Sequence, residues 1–240
     1  MAQKGGSRHL KRLALPRALG LPRKGKAWVV KASAGPHPLD RSIPLAVLLR
    51  DYFKVAASLR EAKKILAKRA VLVDGKPRRE PEFPVGFMDV VSIPATRQHF
   101  RILINQLDKL IPHPISEEEA TFKLCRVERK RVISGGRVQA GLHDGRTLLL
   151  DKPDELKVRD VVKISIPEQK ILQVVPFEVG SLAFITGGSN VGKIGRILEI
   201  KELRSMQQNT AILKSDGESF ETILPYIFVI GREEPLISLP

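Results

Sequence analysis

The sequence is poor in the residues that build metal centres, disulfides and membrane spans. Its 240 residues contain one cysteine, Cys125, and five scattered histidines, which excludes an intramolecular disulfide and a zinc cluster. The best apolar run, residues 43–57, is broken by Arg50, Asp51 and Lys54, so nothing approaches the roughly 20 residues that span a bilayer. We therefore expect a cytoplasmic protein with no cofactor, no metal and no membrane partner.

Acidic residues are scarce in the first third of the chain. Residues 1–80 contain 20 Lys and Arg but only 5 Asp and Glu, whereas residues 81–240 contain 21 of each sign. The net charge of +15 therefore lies in the first third. Because basic side chains gain free energy by displacing counterions from phosphates, this polarity predicts a polyanion bound mainly through one region. Aromatic residues make up only 5% of the chain, which favours recognition of phosphate and shape over base stacking.

The first 39 residues contain nine Lys and Arg and no acid, and prolines and glycines interrupt them. This pattern cannot sustain a helix or a packed domain, so it predicts an extended basic arm over residues 1–40. Trp28 is expected to anchor the arm where it meets a surface. A disordered solubility tail and a mitochondrial presequence are the alternatives, although Pro16 and Pro22 argue against an amphipathic presequence.

Two helices are predicted after the arm. The first begins at Ser42 and presents one apolar stripe formed by Leu45, Leu48, Leu49 and Tyr52. The second begins at Ser58, which forms a capping box with Glu61. Its apolar positions lie opposite a face that contains Lys63, Lys64 and Lys68. A solvated surface is the alternative, but Glu61 is the one acid between Tyr52 and Val73, so we expect this face to bind phosphates.

A strand over residues 71–73 is predicted to enter a type I′ turn at Asp74-Gly75, and Lys76, Arg78 and Arg79 follow the turn. The string SLREAKKILAKRAVLVDGK, followed by FMDVVSI, resembles the S-four type RNA-binding module. By position, this resemblance implies RNA contacts at Arg60, Lys63, Lys64, Asp74, Gly75 and Lys76.

The middle of the chain is predicted to be mainly β. Strands are expected over residues 123–132, 137–142, 147–150, 161–166 and 171–177. On the first of these, Arg129 and Arg131 share a face because side chains alternate along a strand. That face meets either RNA or solvent. A catalytic pair at His143-Asp144 is disfavoured, since no nucleophile accompanies it and Asp-Gly is itself a turn signal.

Residues 187–193, GGSNVGK, satisfy the phosphate-loop pattern of nucleotide hydrolases. Ile194 replaces the Ser or Thr that binds magnesium, and the following residues predict a strand where the phosphates require a helix. The segment instead resembles a KOW motif, with a strand over residues 182–185, a glycine-containing loop that exposes Lys193, and further strands that complete an SH3-like barrel.

Several strings occur in one order and resemble, together, the archaeal and eukaryotic small-subunit ribosomal proteins of the S-four-e family. They are HLKRLALP, GPHPL, the S-four type module, KLCRVERKRVISGG, LHDGRT, TGGSNVGKIGRI and the terminal FVIG…ISLP. The archaeal form is the closer match. The resemblance implies a structural constituent of the small ribosomal subunit, located there in the cytoplasm, which binds ribosomal RNA and neighbouring ribosomal proteins. It implies no catalytic residue and no small-molecule substrate.

The expected fold class is α+β with several modules. They are a basic arm (1–40), an S-four type module (41–95), a central β domain (96–174) and a KOW-type SH3-like barrel with the C-terminal tail (175–240). An RNA-modifying enzyme and a transcription elongation factor are the alternative functions. The predicted RNA-binding residues are Lys4, Arg8, Lys11, Arg12, Arg17, Arg23, Lys24, Lys26, Arg60, Lys63, Lys64, Lys68, Asp74, Gly75, Lys76, Arg78, Arg79, Arg129, Arg131 and Lys193.

Overall fold

A computed structural model describes residue 7 and residues 9–150, 155–202, 207–215 and 217–239. The chain divides into two units, the first formed by Met1–Leu103 with Lys109–Pro114 and the second by Ile104–Asp108 with Ile115–Pro240. Short strands dominate both units and helices are few. No helix among the described residues is long and apolar enough to cross a membrane.

The N-terminal arm differs from its prediction, because it folds onto the first unit instead of remaining extended. Strand β1 (Leu10–Lys11) pairs antiparallel with β2 (Trp28–Val29). Between them lie two 3-10 turns, Arg12–Ala14 and Arg17–Leu19. The second turn buries Ala18 and Leu19, and Leu15 is buried between the two turns. A charge pattern does not reveal which few apolar residues find a surface on which to pack.

Hydrogen bonds also hold the arm. The Tyr52 hydroxyl donates to the Leu19 carbonyl at 2.5 Å. Burial, with the charge of Asp51, raises the Tyr52 pKa to about 12, so this donor keeps its proton at physiological pH. The Ser33 amide donates to the Glu82 carbonyl at 2.8 Å. Further along, the His37 ring is buried beside Asp89, with a nitrogen-to-oxygen distance of 3.0 Å.

The helices of the first unit follow the predicted apolar pattern with a later start. Ser42 begins β3 (Ser42–Pro44) instead of the predicted helix. The helix α1 (Leu45–Val47) continues as a π-helical turn over Leu48–Tyr52, and Leu45, Leu48 and Leu49 are fully buried. The second helix, α2, spans Leu59–Ala67.

The main sheet of the first unit is antiparallel where its register is defined, in the order β5-β4-β7-β8-β9, and β6 pairs separately with β3. The sheet continues past the boundary predicted at residues 95 and 96, because β8 pairs along the whole of β7. These strands are β4 (Leu72–Val73), β5 (Lys76–Pro77), β6 (Pro84–Gly86), β7 (Val90–Ile93), β8 (Gln98–Ile104) and β9 (Leu110–Ile115).

The first sheet of the second unit matches the predicted central strands closely. Its order is β12-β11-β10-β13-β14, and all pairs are antiparallel. A core that includes Cys125, Val127 and Ile164 lies on one face. The strands are β10 (Phe122–Val132), β11 (Val138–Leu142), β12 (Thr147–Leu150), β13 (Val161–Ser165) and β14 (Ile171–Val175).

A second antiparallel sheet of this unit has the order β18-β17-β16-β15-β19. The strand predicted after the GGSNVGK loop is present as β16, so the loop does not precede the helix that a phosphate loop requires. The strands are β15 (Leu182–Ile185), β16 (Ile194–Lys201), β17 (Thr210–Ser215), β18 (Glu218–Ile223) and β19 (Ile227–Gly231).

Candidate nucleic-acid interface

The N-terminus of α2 is fixed by two side-chain hydrogen bonds. The Ser58 hydroxyl accepts from the Glu61 amide at 3.3 Å. The Glu61 carboxylate reaches back one residue further than predicted and accepts from the Ala57 amide at 2.8 Å. These bonds satisfy amides that have no partner within the helix and so set where α2 begins.

The two faces of α2 have opposite character. Ala62 and Leu66 are fully buried, whereas Lys63 and Lys64 are exposed. Within the described part of the chain, none of the cations on this face forms an ion pair. Their charge is therefore available to an external anion. The exposed cations of this face are Arg60, Lys63, Lys64 and Lys68.

The turn after β4 adds a backbone corner and a further cation. Asp74 and Gly75 have φ angles of 49° and 70°, as a two-residue type I′ turn requires. Lys76 is exposed just beyond the turn. The Asp74 side chain, however, is only 5% exposed, and its carboxylate accepts from the Val90 amide at 2.9 Å. Asp74 thus contributes the shape of the turn, and its carboxylate is committed to the interior.

The two arginines after the turn lie in different environments. Arg79 is exposed. Arg78 is half-buried, with its guanidinium carbon 4.3 Å from the centre of the Phe83 ring. A stacked guanidinium keeps its charge but has less freedom to reach an external group. Lys76 and Arg79 are therefore the better placed cations of this segment.

Most of the predicted cations of the arm are exposed, with one clear exception. Arg12 is 9% exposed, and its Nε donates to the Pro22 carbonyl at 2.5 Å, so it holds the arm together instead of facing a partner. Lys4 and Arg8 lie outside the described residues. The exposed cations of the arm are Lys11, Arg17, Arg23, Lys24 and Lys26.

The predicted cations of the second unit differ in their exposure to solvent. Arg129 and Arg131 are exposed on β10 and pair in register with Gly141 and Gln139, so they share a face as predicted. Lys193 is only half-buried, and its Nζ lies 5.5 Å from the centre of the Phe220 ring.

A pocket of about 740 Å³ contains Lys193 together with Arg196 and Lys214. The last two residues pair in register on β16 and β17. Neither residue was predicted from the sequence, because no local motif reveals which strands become neighbours.

The other basic residues of β10 are used internally. Lys130 donates to the Leu156 carbonyl at 2.5 Å, and Arg126 donates to the Pro225 carbonyl at 2.7 Å. Lys123 is fully buried, and its Nζ lies 2.9 Å from Oδ2 of Asp144. The basic cluster that the sequence indicates on this strand therefore reduces to Arg129 and Arg131 at the surface.

Asp144 forms the centre of a buried ionic network. Burial by itself would raise the pKa of Asp144, but the neighbouring cations, above all Lys123, lower it to about 2. Cys125, His143 and Asp144 bring potential ligand atoms within 4.8 Å of one another. These groups do not fit a metal, because the Lys123 ammonium already balances the carboxylate and Nδ1 of His143 accepts from the Arg126 amide at 3.2 Å.

Family comparisons match three consecutive parts of the chain. The RS4NT (NUC023) domain matches residues 4–40, the S4 domain matches residues 44–91, and Ribosomal family S4e matches residues 96–171. The S4 match covers α2, the type I′ turn and their exposed cations. These matches define the class of the protein as ribosomal proteins that contain an S4 domain.

Full-length relatives narrow this class to one family. Small ribosomal subunit protein eS4 of Methanothermobacter thermautotrophicus is 49% identical over 241 residues, which cover 100% of this chain and 99% of that protein. Small ribosomal subunit protein eS4 of Methanocaldococcus jannaschii is 44% identical over 247 residues, with 100% of both chains covered. The crystal structure of the 30S ribosomal protein S4e from Thermoplasma acidophilum matches with a TM-score of 0.69 at 38% identity, covering 80% of this chain and 96% of that chain.

The chain belongs to Ribosomal family S4e. Its family is one of structural proteins of the small ribosomal subunit and not of enzymes, as the sequence analysis expected. The expected archaeal type is confirmed by these relatives.

Proposed function

We propose that this protein is a structural constituent of the small ribosomal subunit that binds and stabilises folded small-subunit ribosomal RNA. Its partners are this RNA and neighbouring ribosomal proteins. The observation that carries the proposal is the face of α2, where four exposed cations have no ion-pair partner among the described residues. Lys76 and Arg79 extend this positive surface past the turn.

The proposed mechanism is electrostatic neutralisation of phosphates, with no chemical reaction. Each Lys or Arg that contacts a phosphate releases a condensed counterion, so binding weakens as salt rises. The second helix and the turn present their cations on short, well-capped elements, and the fixed spacing of these cations matches a folded backbone better than a flexible one. In this proposal the exposed cations of the arm also contact phosphates of the RNA.

The second unit serves in this proposal as a rigid β scaffold with local contacts. Arg129, Arg131 and Lys193 are the cations we assign to such contacts. We also interpret the sheet formed by β15 to β19 as a KOW-type SH3-like barrel. Its glycine loop and strand order support this interpretation, and Arg196 and Lys214 add charge beside Lys193.

The test measures binding of the full chain to deproteinised small-subunit ribosomal RNA at several salt concentrations. Replacing Lys63, Lys64 and Lys76 together with Ala removes three exposed charges without touching the core. The slope of log K against log salt should fall by about 0.7–0.9 for each lost phosphate contact, and so by about 2–3 in total.

A matched control removes the same charge from the second unit. Lys157, Lys170 and Arg232 are exposed and lie outside the proposed surface. Their replacement with Ala should leave the slope within about 0.5 of the original value, since no phosphate contact is lost. Equal slopes for the two triple variants would show that the α2 surface is not part of the RNA interface.

A second measurement addresses the assembled particle. In a gradient of salt-washed cell extract, the protein should sediment with the small subunit. Sedimentation free of the subunit at moderate salt would contradict the proposal, and it would favour a transient role such as that of an elongation factor.

A further inference from the structure

Trp28, the single tryptophan of the chain, is exposed over 56% of its surface. From the sequence we expected Trp28 to anchor the arm against a surface, whereas in the structure the indole faces solvent. Backbone pairing of Trp28 with Lys11 holds the short β1–β2 ribbon, and this pairing needs no particular side chain. An exposed indole offers a large flat apolar face, and Trp side chains are enriched at interfaces with partners.

Neighbouring groups hold the indole in place. The Lys11 ammonium lies 5.8 Å from the centre of the Trp28 ring. The His9 ring meets the indole edge-on at a centroid distance of 5.6 Å and an angle of 60°. Because these contacts restrict the rotation of the side chain, an incoming ring loses less entropy when it stacks on Trp28.

The indole also lines a pocket of about 260 Å³ within the first unit. The charged side chains of its wall include two lysines, one arginine and one acid. Arg50 is paired with Asp51 at 2.7 Å, so it offers less net charge than the lysines. Lys63 belongs both to this wall and to the proposed phosphate surface on α2. The lining groups relevant to recognition are His9, Trp28, Lys31, Arg50, Lys63 and Glu82.

We propose that this pocket receives one unstacked nucleobase of the bound RNA, which stacks on Trp28 while the adjoining phosphates contact Lys63 and the cations of the arm. This inference rests on the RNA-binding function proposed above. An aromatic face beside lysines is the chemistry by which proteins hold unstacked bases. The surrounding sequence supports RNA over a protein partner, since residues 1–39 contain nine cations and no acid.

The first test compares Trp28→Ala and Trp28→Phe in the full chain, with deproteinised small-subunit ribosomal RNA as the probe. Loss of one stacked base should weaken the affinity of Trp28→Ala roughly 5-fold to 150-fold at every salt concentration. The salt slope should not change, because no charge is removed. Trp28→Phe should retain most of the affinity, since it preserves an aromatic face.

Leu13→Ala is the matched control, because Leu13 is an arm residue with 72% exposure that lies outside the pocket. It should leave RNA affinity within about twofold of the original, since it removes neither charge nor an aromatic face. Thermal unfolding of both variants checks that the first unit remains folded. A folded Trp28→Ala variant with unchanged affinity would overturn the proposal.

The second test uses the fluorescence of the unmodified protein, in which Trp28 is the sole indole. Stacking on a base should quench this fluorescence when a single-stranded oligoadenylate is added, and an abasic oligomer of the same length should quench it much less. Equal effects of the two oligomers would overturn the proposal.

The outcomes separate this proposal from the function on which it rests. If the unmodified protein shows no salt-dependent binding, the proposed RNA-binding function itself is refuted. Trp28→Ala could instead bind RNA with normal affinity but be incorporated less well into the small subunit. This result would identify a protein partner at the pocket and would refute the proposal that the pocket receives a nucleobase.

Discussion

The arm should be an integral part of the first unit, and Leu19→Ala tests this most directly. Leu19 is 1% exposed within the Arg17–Leu19 turn, which packs against β3. Its carbonyl also accepts the hydrogen bond of the Tyr52 hydroxyl. Truncation to Ala removes the buried part of the side chain but leaves the backbone acceptor in place, so the variant isolates the packing contribution.

The expected loss of stability is substantial for one side chain. Replacing a fully buried Leu with Ala lowers the free energy of unfolding by about 2–5 kcal/mol, because apolar contact is lost and a cavity remains. An arm without a fold of its own would lose almost nothing. Leu13, in the neighbouring turn and 72% exposed, supplies the matched control, and Leu13→Ala should change stability by less than about 0.5 kcal/mol.

The assay is equilibrium unfolding in urea, followed by circular dichroism and by the fluorescence of Trp28. Circular dichroism reports on both units, whereas the sole tryptophan reports on the arm. Leu19→Ala should lower the urea concentration at the midpoint of the Trp28 fluorescence transition. The part of the circular dichroism signal that is lost at the lowest urea concentrations should shift by the same amount. If the Leu19 and Leu13 variants unfold at the same urea concentration, the arm is not packed as described.

Two further predictions concern the second unit. Lys123→Met should lower the free energy of unfolding by about 3–5 kcal/mol, because it leaves the Asp144 carboxylate buried without its main counter-charge. In the unmodified protein the lowered pKa of Asp144 contributes stability that is present above about pH 4 and lost as pH falls towards 2. Lys123→Met removes the main cause of this lowering and raises the pKa of Asp144 towards or above its unfolded value, so calorimetry between pH 2 and 6 should show that the acid-induced loss becomes smaller or reverses. An unchanged pH profile would contradict the ionic network. Gly192→Ala should destabilise more than Gly180→Ala in thermal melts, since both glycines have positive φ but a Cβ at Gly192 would lie 2.6 Å from the Gln106 nitrogen; equal losses would show that backbone strain alone matters.

The features that the sequence predicted correctly are those set by near neighbours in the chain. Ser58 and Glu61 lie three residues apart, so the start of α2 follows from local hydrogen bonding. Asp74-Gly75 specifies a turn because both residues tolerate positive φ. Alternation and turn residues located β10 to within one residue, although a bulge between Val127 and Arg129 was not visible.

The features that the sequence missed depend on contacts between distant residues. Nothing near Lys123 indicates that Asp144 will neutralise it in the core, since 21 residues separate them. Arg196 and Lys214 meet only because β16 and β17 are neighbours. The pairing of β8 with β7 also has no local signal in the sequence, because it depends on which strands become neighbours.

Charge placement, capping and turn chemistry were therefore determined by the sequence alone, because each depends on residue type and short spacing. They suffice to predict a cationic surface on a short capped helix and its following turn, together with a β scaffold. Only the tertiary structure decided which cations remain at the surface. Burial commits Arg12 and Lys123 to internal partners and leaves Lys63 and Trp28 exposed to solvent, and burial depends on which distant surfaces come together.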